Sequence, residues 1–266
     1  PAPEPVAQVV DATADGVPVR VYDPDAGPDA PLVVFLHGGG FALCDLDSHD
    51  AFCRAMAVAT GSVVVSVDYR RAPEFPFPAA PEDAFTALLW AAKTYPDRRI
   101  AVAGDSAGAN LATVLTQLTR DRGGPEIVFQ ALYYPMLDPA RSRPSHRENA
   151  QGYFLTEDHL RWYWRQYLAS DRDAEHPYAA PLHATGLGSL PPAHIVTAEL
   201  DPLRDEGEAY AAALADAGVP VQLRRCDGMF HGFLTMAAGA LPEAAEARDR
   251  AFSTLRAALN GEFGNG

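Results

Sequence analysis

The sequence predicts an α/β fold: a mostly parallel sheet with helices on both faces. Three observations carry that expectation. Short continuous apolar runs recur at 32–36, 62–67, 99–103, 127–133 and 194–198, the pattern of strands buried on both faces. Segments with helical periodicity lie between most of them. Strand and helix therefore alternate, and crossover connections of that length join parallel neighbours. The chain has 266 residues, 48% hydrophobic and 21% charged. It is long enough to form a single domain that buries roughly 70–75% of its unfolded surface without staples.

The N-terminus offers two alternating runs, 6–10 and 17–22, joined at Asp15-Gly16. That dipeptide suits a hairpin turn whose central residues take positive φ. A loop rich in Pro, Asp and Ala leads to the run at 32–36, the first strand expected to be buried on both sides. The segment 48–60 reads as a helix, 62–67 as a strand, and 82–95 as a helix with Phe85, Leu88, Leu89 and Ala92 on one face. The strand at 99–103 runs into a tight turn and then a helix from 109. Strands follow at 127–133 and 194–198, a helix at 203–217 closed by Gly218, a last strand at 221–225 and a last helix at 243–259.

One interval, 136–192, breaks the alternation. It holds loops and one clear helix, 156–168, with Thr156 as N-cap and Glu157 and Asp158 in the first turn. It also concentrates Tyr153, Phe154, Trp162, Tyr163, Trp164 and Tyr167. An insertion this long is expected to act as a cap or lid over a site. Most of its rings should pack it onto the body, with one or two facing a pocket.

The bulk composition excludes several function classes. With 35 acidic against 21 basic residues the net charge is −14, which opposes the basic stripe that nucleic-acid binding requires. No apolar run approaches the ~20 residues of a membrane span, and the opening Pro1-Ala2-Pro3-Glu4-Pro5 lacks the basic start and apolar middle of a signal peptide. Three cysteines, Cys44, Cys53 and Cys226, supply neither a disulfide framework nor a Cys-x-x-Cys metal pattern. A reducing, cytoplasmic setting is expected.

The chemistry is written most clearly in Gly104-Asp105-Ser106-Ala107-Gly108. A Gly-x-Ser-x-Gly pattern between a strand and a helix is the setting of a nucleophile elbow, whose tightness needs nearly side-chain-free neighbours. A serine hydroxyl is a weak nucleophile; it needs a base, a group that orients the base, and donors for the oxyanion. In a sheet of this kind all should lie at the carboxyl ends of strands. Of eight histidines, only His231 combines a late position with a loop past a strand end. Asp201, after the strand at 194–198 and before Pro202, is the expected orienting acid, with Glu199 and Asp205 as alternatives. His37-Gly38-Gly39-Gly40 follows the first buried strand, so Gly38 and Gly39, with Ala107, are the expected oxyanion donors. A phosphate loop is excluded, since no Gly-x-Gly-x-x-Gly and no Walker lysine follow.

Taken together, His37-Gly38-Gly39-Gly40, Asp68-Tyr69-Arg70-Arg71-Ala72-Pro73, Gly104-Asp105-Ser106-Ala107-Gly108, Asp201-Pro202-Leu203 and His231-Gly232-Phe233 resemble the hormone-sensitive lipase family of α/β hydrolases, the bacterial family IV carboxylesterases. The resemblance implies an α/β-hydrolase fold of eight strands with the second antiparallel. It implies Ser106 as nucleophile, His231 as base and Asp201 as its partner. It makes Asp68, Arg70 and the segment 76–84 scaffold rather than machinery. Family members add N-terminal helices to the cap; the first hairpin starts almost at once here, so a reduced cap built from 136–192 is expected.

The expected activity is hydrolysis of small, fairly apolar esters of short-to-medium acyl length through an acyl-enzyme, with no metal or organic cofactor. Phe41, Leu43, Phe154 and Leu155 are the expected pocket walls. The partners are a small-molecule ester and, by the family's habit of pairing through a sheet edge or the last helix, a second copy as a homodimer. Amide hydrolysis or acyl transfer could use the same groups, but no accessory domain is present to select peptides. A ligand-binding relative with a decayed triad is disfavoured by the presence of all three residues.

Overall fold

In the computed structural model, which describes residues 3–264, eight strands form one sheet: β1 (Gln8–Ala14), β2 (Val17–Asp23), β3 (Leu32–Leu36), β4 (Val63–Val67), β5 (Ile100–Asp105), β6 (Ile127–Tyr133), β7 (Ala193–Leu200) and β8 (Val221–Phe230). Their spatial order is β1-β2-β4-β3-β5-β6-β7-β8. β2 runs antiparallel to both β1 and β4, and the remaining pairs are parallel. The β1–β2 hairpin turns at Asp15 (φ 47°) and Gly16 (φ 101°), the two positive-φ residues the dipeptide predicts.

Helices α1 (Asp50–Thr60), α2 (Ala79–Thr94), α3 (Ala107–Arg122), α6 (Arg204–Asp216) and α8 (Pro242–Leu259) cover the sheet, and the single turn α7 (Phe233–Met236) follows β8. Along β3, Leu32, Val34 and Leu36 join the core beneath α2, α3 and α6, whereas Val33 and Phe35 join the core beneath α1 and α8. The period of two in a strand sends alternate side chains to opposite faces. A run that is apolar at every position is therefore the signature of a sheet covered twice. No helix among the described residues is long and apolar enough to cross a membrane.

β8 departs from expectation. It extends to Phe230 rather than stopping at 225, and pairs Phe230 with Leu200 beyond a register shift in β7. Asp227-Gly228, with Gly228 at φ 70°, reads as a loop, but an irregular ladder absorbs such a glycine without ending the strand. His231 is consequently the first residue after a strand, not a residue deep in a loop.

Between β6 and β7 lie α4 (Pro144–Glu148), α5 (Glu157–Tyr167) and three short 3-10 turns. Thr156 caps α5 by accepting the His159 N–H. Leu160, Trp164 and Tyr167 bury one face of α5 while Trp162 stays exposed. The segment is pinned at several points. Asn110 on α3 donates from its amide nitrogen to the carbonyls of Met136 and Ala179, both at 2.8 Å. His146 Nε2 meets Glu206 Oε1 at 2.8 Å. Burial pushes the Glu206 carboxyl above its ordinary range although His146 and the Leu137 N–H oppose the shift. Asn110→Ala leaves two buried carbonyls without donors, so it should lower stability by about 1–3 kcal/mol, read as a lower urea midpoint at unchanged m-value.

Candidate active site

Ser106 sits at the junction of β5 and α3 with φ 56° and ψ −119°. A non-glycine residue holds such a backbone only where its surroundings impose it. Here the Ser106 N–H donates to the Tyr133 carbonyl, and its own carbonyl accepts from Ala109, Asn110 and Met136. The turn closes because its flanks are bare: a Cβ on Gly108 would lie 1.9 Å from the Leu36 carbonyl oxygen. The hydroxyl is thereby raised over the carboxyl end of the sheet.

His231, just past β8, brings Nε2 to 2.9 Å from Ser106 Oγ. Its Nδ1 lies 2.8 Å from Asp201 Oδ2. A carboxylate only accepts, so Nδ1 carries the hydrogen and Nε2 offers its lone pair to the Ser106 O–H. Asp201 is fully buried, and its other oxygen accepts the Leu203 N–H at 2.8 Å, which fixes the carboxylate plane. Glu199 and Asp205, the alternative acids, are occupied elsewhere: Glu199 accepts from Gly228 N–H, and Asp205 from Ser145 N–H and Arg204. The Tyr134 ring packs edge-on against the His231 imidazole at 4.9 Å.

The loop after β3 behaves differently from expectation. The Gly38 N–H donates to Asp105 Oδ1 at 2.8 Å, so Gly38 has no donor left for an oxyanion. Among the described residues no protein acceptor meets the N–H of Gly39, Gly40 or Ala107. Gly40 takes φ 60°, and a Cβ there would fall 2.2 Å from the Tyr163 ring. Beneath the loop, His37 Nδ1 donates to the Gly38 carbonyl at 2.7 Å, and the Tyr69 hydroxyl donates to the His37 carbonyl at 2.7 Å. Burial, with the nearby His49 cation opposing a second charge, pushes the His37 imidazole down to about 4. It is a neutral structural donor.

A cavity of about 300 Å³ opens over Ser106 and His231. Leu43, Phe154 and Leu155 line it as expected; Phe41 does not. The Phe41 ring is fully buried, stacked on Tyr167 at 3.7 Å, because φ 63° turns it away from the cavity into the core. Walls that the sequence reading missed include Met136, Leu160, Tyr163 and Met236, together with a polar side of Ser48, His49 and Asp105. Tyr163 belongs to the aromatic cluster of the insertion, and helical phase alone does not say which ring turns inward.

Residues 33–235 match the family model described as alpha/beta hydrolase fold. The chain belongs to the α/β-hydrolase family. Within it, the chain is 45% identical over 271 residues to the esterase LipI of Mycobacterium tuberculosis, covering 97% of this chain and 84% of the relative. It is 46% identical over 254 residues to the carboxylesterase NlhH of the same organism, covering 92% and 79%. Among solved structures, a hyperthermophilic esterase from the archaeon Pyrobaculum calidifontis superposes with a TM-score of 0.92 at 44% identity, over 96% of this chain and 87% of that one. The thermophilic carboxylesterase EstE1, cloned from a metagenomic library, gives a TM-score of 0.92 at 41% identity, over 97% and 91%. The resemblance to hormone-sensitive-lipase-type hydrolases, and the antiparallel second strand it implies, hold for this family member.

Gly108→Ala should disrupt the elbow of this α/β hydrolase. The methyl group meets backbone on β3 that no rotamer change can move. Overpacking of that kind costs about 1–3 kcal/mol, so thermal unfolding should begin several degrees lower, with Ser106 less reactive toward a fluorophosphonate.

Proposed function

We propose that this α/β hydrolase is a serine carboxylesterase acting on small esters of short-to-medium acyl length. The observation that carries the reading is the 2.9 Å approach of His231 Nε2 to Ser106 Oγ within the cavity. Ser106 attacks the ester carbonyl as His231 takes its proton. The tetrahedral oxyanion is held by the N–H groups of Gly39, Gly40 and Ala107. Asp201 keeps His231 in the Nδ1–H tautomer and stabilises the imidazolium that forms. His231 then protonates the leaving alcohol, the acyl-enzyme remains, and water activated by the same imidazole releases the acid.

The acyl-length preference is supported by volume. A cavity of about 300 Å³ sits at the small end of ligand pockets, which run about 300–1,000 Å³. Leu155, Leu160, Met136 and Met236 make one side apolar. The segment 136–192, pinned to the sheet yet presenting Phe154 and Tyr163 to the cavity, is read as its cap, within a single domain spanning the chain. The three cysteines are free thiols, which supports a reducing, cytoplasmic setting. Pairing into a homodimer through a sheet edge or α8 stays within the proposal.

Ser106→Ala should remove turnover by more than about 10⁴-fold and abolish fluorophosphonate labelling, with circular dichroism unchanged; retained hydrolysis would overturn the mechanism. Gly40→Ala drives a methyl group against Tyr163 and tilts an oxyanion donor, so kcat for p-nitrophenyl butyrate should fall about 10²-fold at nearly constant KM. Along a p-nitrophenyl ester series kcat/KM should peak at about four to eight acyl carbons and drop for palmitate, since longer chains outrun the enclosed apolar wall.

A further inference from the structure

We propose that His49 is a positioning residue for this reaction: its imidazolium holds the Asp105 carboxylate where that carboxylate fixes the Gly38 amide, and through it the oxyanion loop. The inference rests on the serine-hydrolase reading above.

Asp105 is buried at 4% exposure on the elbow itself, one residue before Ser106. Its Oδ1 accepts the Gly38 N–H at 2.8 Å and lies 3.1 Å from His49 Nε2. Among the described residues no Lys or Arg reaches it, so His49 is the countercharge in contact with it. A buried carboxylate needs such a partner or it neutralises, and a neutral acid is a weaker acceptor for Gly38.

His49 is itself held firmly. It is the residue preceding α1, and its Nδ1 lies 3.1 Å from Ser48 Oγ. Ser48 and Asp45 are bonded reciprocally: each backbone N–H donates to the other's side chain, at 2.9 and 2.8 Å. The Ser48 hydroxyl spends its hydrogen on the Asp45 carbonyl, which leaves its oxygen to accept from a protonated His49 Nδ1.

Amide geometry transmits the restraint. Gly38 C=O and Gly39 N–H share one rigid trans peptide plane and point in opposite directions. His37 Nδ1–H holds that C=O from one side, while Asp105 anchors the preceding Gly38 N–H. With both ends of Gly38 fixed, the Gly39 N–H has one direction left, toward the cavity. Release of Asp105 frees the plane to swing.

The charges facing this cluster define its pH window. His49 meets Asp105 from β5, Asp45 from its own loop and His37 from the end of β3. Arg71, Tyr69, Tyr133, Tyr134 and Cys53 surround Asp105 and His37. Burial disfavours the charged form of His49, but Asp105 and then Asp45 outweigh it, raising the imidazole above its usual 6.5. Burial also disfavours the Asp105 carboxylate, and His49 with the Gly38 N–H outweighs it, lowering the group below its usual 3.8. A raised histidine keeps the clamp below its folded-state value and loses it as pH rises through that value. The lowered carboxylate keeps the clamp well into acid. The clamp thus governs an alkaline limb.

The test compares the native enzyme with His49→Gln, Asp105→Asn, their double variant and Ser48→Ala. The readouts are kcat and KM for p-nitrophenyl butyrate from about pH 6 to 10, and inhibition by an aryl trifluoromethyl ketone, whose hemiketal oxyanion occupies the Gly39–Gly40 position. His49→Gln should lower kcat about tenfold with KM within about twofold, weaken the ketone by the same factor as kcat, and erase the alkaline limb. The double variant should be no worse than the poorer single, as groups acting in one unit are. Ser48→Ala, which keeps the ion pair but removes an acceptor from protonated His49, should move the alkaline limb to lower pH; it carries the test if His49→Gln does not fold. Unchanged pH profile and ketone affinity in these variants would overturn the proposal. So would a loss of kcat in His49→Gln with ketone affinity intact. Failure of the native enzyme to react with a fluorophosphonate would overturn the hydrolase reading instead.

Discussion

The molecule is organised around the close approach of the α3 N-terminus to the end of β3, where a hydrogen is all that Gly108 can place beside the Leu36 carbonyl. Because those backbones touch, the chain leaving β5 has no room for a gradual turn, and Ser106 takes a positive φ. The same contact sets the Gly38–Gly40 loop beside the serine, since that loop leaves β3, the neighbour of β5 in the sheet. β7 and β8 then bring in Asp201 and His231 from the other side, all at one end of the strands. Backbone geometry precedes side-chain chemistry here: the amides, the hydroxyl and the imidazole converge because four strands end at one rim.

Around that rim the buried polar groups are specified by shared acceptors. Asp201 divides its carboxylate between a backbone N–H and the imidazole, and Asp105 concentrates two partners on one oxygen. Both acids are buried, where an unmet partner is expensive and a met one is rigid. Rigidity matters because electrostatic stabilisation of a developing charge depends on donors that need not reorganise when the charge appears.

Much of this was legible in the sequence, for identifiable reasons. β3 is apolar at every position and β5 nearly so up to the elbow, so those two strands were legible from composition, whereas the largely polar and exposed β8 was placed by its position late in the chain. The order then leads to Ser106, Asp201 and His231 as the groups brought to one rim, which is how the structure arranges them. The glycines after β3 were legible as a motif, but which of their amides stays free was not. Which amide turns outward depends on Asp105, 67 residues away, claiming Gly38. Phe41 was misread for a related reason, since a positive φ reverses the direction of a side chain and nothing local announces it. The extra length of β8 was hidden by a glycine that ordinarily marks a loop. His49 carried no signal beyond being a histidine at a helix start, and only the packing of α1 against the elbow gives it a partner.

In the insertion between β6 and β7, the carbonyl of Met136 at its start and that of Ala179 further along both end on the one amide nitrogen of Asn110. A single side chain on α3, the helix that follows Ser106, thus gathers two distant points of the excursion together, like the throat of a drawstring bag. Between those two carbonyls the excursion is fastened again, by His146 on Glu206 and by the Asn149 amide on the Asp201 carbonyl, so a change to its length is absorbed locally only where it spares those ties.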